Sequence, residues 1–192
     1  ILAFGSMTFG LTNSQSLLVK GDYERYREEN FRVGGIQDVS YGQELQRDNY
    51  NFTAGHTWVA NATTTNEFRA QFGHRKYYEP MNSSAVGDWY SLGNTLRSGG
   101  NILGDLLGEG DQYEFRDTLY LHLTGTSGTH DLKAGAGWQH VKDRSIIDTY
   151  QNGVFLWLFD NKTVPYAYLY GIGSSDVSIP TDRIAAFVQD DW

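Results

Sequence analysis

Apolar and polar residues alternate at every second position through runs of about ten residues, and this period-2 pattern constrains the chain more than any other feature. From Asn49 to Val59, Tyr50, Phe52, Ala54, His56 and Trp58 fall on one face, and Asn49, Asn51, Thr53, Gly55 and Thr57 on the other. After a polar turn at Asn61–Thr64 the pattern resumes, with Phe68, Ala70 and Phe72 opposing Glu67, Arg69, Gln71, Gly73 and Arg75. Further on, Tyr113, Phe115, Leu119, Leu121 and Leu123 alternate with Glu114, Arg116, Thr118, Tyr120 and His122. Past the Gly-Thr-Ser-Gly turn, Leu132, Ala134, Ala136 and Trp138 alternate with Asp131, Lys133, Gly135, Gly137 and Gln139. A side-chain period of two belongs to strands, and a helix cannot satisfy it. Asp117 alone breaks the apolar series, and it is expected at a rim or paired with a neighbour.

An earlier hairpin is expected from Ala3 to Leu11 and from Ser16 to about Arg27, and a last strand from about Asp182 into Trp192, its facing ambiguous. The turns at Thr12–Gln15, Asn61–Thr64 and Gly125–Thr129 are short. The connections at about Glu28–Gln46, Glu79–Gln112 and Ser145–Thr181 are long. Strict short–long alternation is the connectivity of a transmembrane barrel, with tight turns on one side of the bilayer and long loops on the other. The expected fold is therefore all-β: an antiparallel up-and-down meander of about seven strands, part of a larger transmembrane β-barrel. The outward face is expected to end in an aromatic girdle containing Trp58, Tyr77 and Tyr78. A soluble carbohydrate-binding β-sandwich is the alternative outside membranes.

Composition agrees. Thirteen Tyr, 10 Phe and 5 Trp favour strands and membrane interfaces, while 22 Gly disfavour a helical domain. No apolar stretch approaches the roughly 20 residues of a membrane helix, but only alternate residues of a barrel strand meet lipid, so hydropathy does not speak to a barrel. Cysteine is absent, which excludes disulfides and thiolate chemistry within the chain. A formal charge of −8 makes nucleic acid an unsuitable partner. The chain opens on Ile1 and stops at Trp192 inside a strand pattern, and both ends are expected to continue, so residues 1–192 are read as a partial barrel domain.

Asn51-Phe52-Thr53-Ala54-Gly55-His56-Thr57-Trp58 with Asn66-Glu67-Phe68-Arg69, Gly128-Thr129-His130-Asp131-Leu132-Lys133-Ala134-Gly135, and Ala186-Phe187-Val188-Gln189-Asp190-Asp191-Trp192 together resemble TonB-dependent outer-membrane receptors. The resemblance is to their Oar-like branch, which carries an N-terminal carboxypeptidase-regulatory-like domain. It implies a barrel of about 22 strands around a plugged lumen, of which this chain would supply about a third. The plug and the TonB-contacting segment would lie upstream. It also implies a Gram-negative outer membrane, lipid and TonB as partners, and uptake of a scarce bulky ligand such as a siderophore or carbohydrate. A passive porin or adhesin is the alternative within membranes.

No enzyme is expected. His56 and His74 sit on neighbouring strands, close enough in sequence terms to approach each other, but nothing near them marks a nucleophile. Asp105, Glu109 and Asp111 are expected in a solvated loop without EF-hand spacing, and no metal or cofactor is assigned. Gly135-Ala136-Gly137 and Gly171-Ile172-Gly173 open no helix and are not phosphate loops. The sequons at Asn51, Asn61, Asn82 and Asn161 are read as chance. The long loops hold Trp89, Tyr90, Trp157, Phe159, Tyr166, Tyr168 and Tyr170, and aromatics there are good ligand contacts because they offer large area with few rotatable bonds. Trp89, Tyr90, Trp157, Tyr166, Tyr168 and Tyr170 are the candidate contacts. The competing reading is a small hairpin, Val154–Phe159 with Val164–Tyr170, whose aromatics pack on one another.

Overall fold

A computed structural model describes residues 1–90, 96–126, 128–158 and 162–192. Seven strands make one antiparallel sheet in the order β1 (Leu2–Thr12), β2 (Gln15–Phe31), β3 (Gln43–Asn61), β4 (Thr64–Glu79), β6 (Leu106–Gly125), β7 (Gly128–Ile147) and β10 (Val177–Asp191). Each strand pairs with the next long strand in sequence, so the sheet is a meander with β1 and β10 as open edges. Three short strands, β5 (Gly87–Tyr90), β8 (Val154–Trp157) and β9 (Ala167–Leu169), form a second sheet within the long connections, β8 being parallel to β5 and antiparallel to β9. Among the described residues no second sheet lies face to face on the seven strands, so the β-sandwich alternative does not describe this fold.

The strands are longer than their alternation announced. β2 runs to Phe31, β3 starts at Gln43, β6 starts at Leu106 and β7 reaches Ile147. The three long connections accordingly shrink to residues 32–42, 80–105 and 148–176. β6 and β7 have 20 residues each. At about 3.3 Å per residue that is roughly 66 Å of strand, and a tilt of about 45° leaves more than the roughly 25 Å apolar band of an outer-membrane barrel. The surplus lies on the long-loop side. There the loops bury one side of the strands, and the alternating pattern fades before the strand does.

The pairing register sorts side chains into two faces. One cross-strand row on the apolar face reads Met7, Val19, Ala54, Ala70, Phe115, Trp138, Ile184. The row beside it on the opposite face reads Leu18, Gly55, Arg69, Arg116, Gly137, Ala185. Concavities of the sheet are lined chiefly by the polar set, which makes the polar face the inner one and the apolar face the outer one. This settles the facing of β10: Ile184, Ala186 and Val188 point out, and Arg183, Ala185 and Phe187 point in. Gly135 follows from that packing. A Cβ there would lie 2.6 Å from the Phe187 ring, so the ring occupies the space the glycine leaves.

Among the described residues, hydrophobic burial is confined to the loop end. Tyr41, Leu45, Tyr90, Val154 and Trp157 are buried, with the polar Gln43, Glu79 and Asn101, while the apolar residues of the wall are half-buried or exposed. Gln43 and Leu45 belong to the inner face of β3 and Glu79 to that of β4, so the loops fold over the inner side of the strand extensions. Gln43 Nε2 donates to the carbonyls of Glu79 and Gly104, and Asn101 Nδ2 to that of Tyr41. Backbone groups of an irregular loop buried this way need such partners.

Candidate functional site

Three surfaces can meet other molecules: the outer belt, the loop cap and the inner wall. On the outer belt the aromatics stack between strands. Tyr50 lies on His74 at 4.7 Å, Phe72 on Tyr113 at 4.9 Å, and Phe115 on Trp138 at 5.7 Å between ring centroids. Towards the loops this belt ends in a cross-strand row whose charges alternate in sign: Arg25, Asp48, Lys76, Glu109, Arg144. Asp48 also meets Arg27 at 2.6 Å, and Arg144 meets Asp176 at 2.8 Å. The next outer row mixes rings with charge, Tyr23, Tyr50, His74, Asp111 and Lys142, before the belt becomes mainly apolar and aromatic. Asp117, inside the belt, is paired as expected: Asn66 Nδ2 donates to its Oδ1 at 2.8 Å. Tyr77 does not join the girdle. It shares the inner face with Glu79, to which its hydroxyl donates, and Arg47 lies 5.5 Å from its ring centroid.

The register does not bring His56 and His74 together. His74 opposes Tyr50, while His56 opposes Phe68, six residues along the same strand from Tyr50. His74 instead meets Asp111 at 2.7 Å, and His140 meets Asp182 at 2.9 Å, both across neighbouring strands. His122 pairs likewise with Asp131 and His130 with Asp190. Glu109 and Asp111 belong to β6 rather than to a loop, and Asp105 Oδ1 accepts the Met81 amide. Among the described residues no cluster of three acidic, histidine or cysteine groups could hold a metal ion.

In the loop cap, the hairpin of the competing reading forms as β8 and β9, and β5 joins it without any local pattern that announces the pairing. Tyr90, Trp157, Phe155, Tyr168 and Tyr170 make an unbroken chain of rings, with successive centroids 6.5, 5.7, 4.8 and 6.5 Å apart. Tyr90 and Trp157 lie at its buried end, the Trp157 indole N–H donating to Asp88 at 2.9 Å. Lys162 closes that end with an ion pair to Asp88. Tyr166, Tyr168 and Tyr170 are 70%, 49% and 59% exposed; Tyr168 belongs to the edge strand β9, and Tyr166 and Tyr170 lie just beyond its two ends. Trp89 lies on the opposite face of the small sheet, with Arg97 4.4 Å above its ring. The six candidate aromatics therefore divide into an exposed tyrosine shelf, a buried support beneath it and a tryptophan turned away. Phe159 and Asn161 lie outside the described residues.

The inner wall carries the site that alternation showed as polar but did not single out. Arg69 and Arg116 oppose each other directly across β4 and β6, with Gly55 and Gly137 beside them in the same row. They line a concavity of about 610 Å³ together with Glu67, Glu114, Lys133 and Arg183. The cross-strand register, which locates this pair, is the information that one-strand alternation lacks.

The whole chain superposes on part of the outer membrane transporter YddB from Escherichia coli with a TM-score of 0.65 and 14% sequence identity. The match covers 100% of this chain and 25% of that one, so the chain spans a quarter of the transporter's length. No protein-family model matches the sequence, and no curated protein matches it. The similarity is one of fold: an antiparallel meander that corresponds to part of an outer-membrane transporter's barrel.

Proposed function

We propose that this chain forms part of the wall of an outer-membrane transport receptor, one that captures a scarce bulky ligand at its loops and imports it with energy delivered through TonB. The observation that carries the reading is the two-sided wall. Its outer face is an aromatic and aliphatic belt closed off by the charged row from Arg25 to Arg144, and its inner face is polar and concave. Only a closed barrel can satisfy strand backbones in lipid. The shared fold with a segment of an outer membrane transporter supports the same reading. The wall itself performs no covalent step; its work is to bind and to guide.

Ligand capture is assigned to the tyrosine shelf. Tyr166, Tyr168 and Tyr170 present amphipathic rings suited to a sugar face or an aromatic siderophore. Tyr90 and Trp157 hold the shelf in place without touching the ligand.

The test is made on the intact protein that contains this wall. Unboiled protein should migrate differently from boiled protein on a denaturing gel, and planar bilayers should record no steady open channels. Cells should capture the sugar or siderophore found by screening, and the triple substitution Tyr166→Ser, Tyr168→Ser, Tyr170→Ser should abolish capture while the heat-modifiable form persists. Migration that ignores boiling removes the barrel. Steady channels replace an energised receptor with a passive porin, and undiminished capture removes the shelf.

A further inference from the structure

We propose that Arg69 and Arg116 form an anion seat at mid-height on the inner wall, taking a carboxylate or phosphate group of the solute that traverses the barrel; this rests on the transport reading above. Like charges placed directly opposite each other on adjacent strands repel, so an Arg–Arg pair is a costly arrangement for a wall that needs only to be polar, even with a glutamate near each arginine. Among the described residues, no acid bridges one guanidinium to the other. Each leans along its own strand to a glutamate two residues back, Arg116 to Glu114 at 3.1 Å and Arg69 to Glu67 at 3.8 Å. Both arginines remain more than half exposed, at 59% and 67% of the side chain.

The surroundings favour an anion. Over three successive inner rows, from Lys20–Arg183 to Ser16–Phe187, four cations (Lys20, Arg69, Arg116, Arg183) face two carboxylates (Glu67, Glu114). This local excess of two positive charges stands in a chain whose formal charge is −8. Arg183 is held only by Gln139, at 3.4 Å, among the described residues. Gly55 and Gly137 flank the pair and leave the space beside it free of side chain. Because β4 and β6 are antiparallel, the two arginines lean in opposite directions, each to its own glutamate, and an oxyanion seated between them would draw both guanidinia back across the row, where forked donors favour carboxylate and phosphate.

The probe is the fluorescent trianion pyranine, added to the intact protein in detergent and followed by anisotropy, with citrate as competitor. Wild-type protein should bind pyranine and release it to citrate. Each guanidinium lost should weaken binding about tenfold, as for a charge-assisted hydrogen bond, so R69Q/R116Q should lose it almost entirely. R69K/R116K should recover part of it, and K76Q, on the outer charged row, should leave it unchanged. Absence of pyranine binding, or equal binding by R69Q/R116Q, overturns the seat. Heat-modifiable migration is read on every sample, so a protein that passes that test yet ignores pyranine defeats this inference and leaves the barrel standing.

Discussion

Glu79 ends β4 with its carboxyl sealed beneath the loops, 0% exposed, while its partner Arg32 keeps about a third of its side chain in water. The Glu79 Oε2 atom has no hydrogen bond and lies 3.1 Å from the Arg32 guanidinium, and the Tyr77 hydroxyl donates to the other oxygen. Desolvation raises the carboxyl above the ordinary carboxylate range, against the pull of Arg32 and Arg47. A folded-state value above the unfolded one means that the native protein binds the extra proton between the two. The loop cap should therefore lose stability as pH rises from about the ordinary value through the raised one, the opposite of an acid held down by a salt bridge. Protease nicking of the loops in the intact protein, followed from pH 4 to 7, should speed up with pH, and Glu79→Gln should flatten the dependence. Slower nicking with rising pH would mean that the Arg32 pair outweighs the burial. The histidines teach a related point about reading single residues. His56 and His74 share a face and neighbouring strands, yet only the register shows that Tyr50 lies opposite His74.

At the scale of elements, the long strands were legible because an apolar outer face and a polar inner face impose period two. Their ends were not, since Gln43, Leu45 and Glu79 answer to the loops that bury them. The parallel pairing of β5 with β8 joins residues about 67 apart, and no local pattern encodes such a pairing. Facing has a direct energetic test. Ala134 lies on the outer row between Leu119 and Val188, and Gln71 on the inner row beside Thr53 and Glu114. Arginine on the lipid face of a barrel near mid-bilayer costs about 2–4 kcal/mol, and lumen substitutions cost far less. Ala134→Arg should thus lower unfolding stability in lipid vesicles by about 2–4 kcal/mol, with Gln71→Arg within about 0.5 kcal/mol of wild type. Equal losses, or the reverse order, would assign the faces wrongly.

The whole molecule joins a wall with no closure to a cap with its own small core. β1 and β10 leave rows of backbone donors and acceptors open at both edges, β1 over 11 residues and β10 over 15. Open edges of that length pair with whatever strand is available. The outer belt adds Phe52, Phe115, Ile184 and Val188, all exposed and forming part of a continuous apolar band. A soluble monomer rarely tolerates an apolar patch of more than a few hundred Å². The buried residues at the loop end, five hydrophobic side chains among the described residues, are too few to hold seven strands together in water. The 192-residue chain expressed alone should therefore aggregate or require detergent. Its thermal unfolding in plain buffer should lack a sharp transition, since a sheet without a second layer has no cooperative core to lose. A monodisperse monomer that melts cooperatively in buffer would mean that the apolar face packs against something other than lipid, and the wall would have to be read as a soluble sheet.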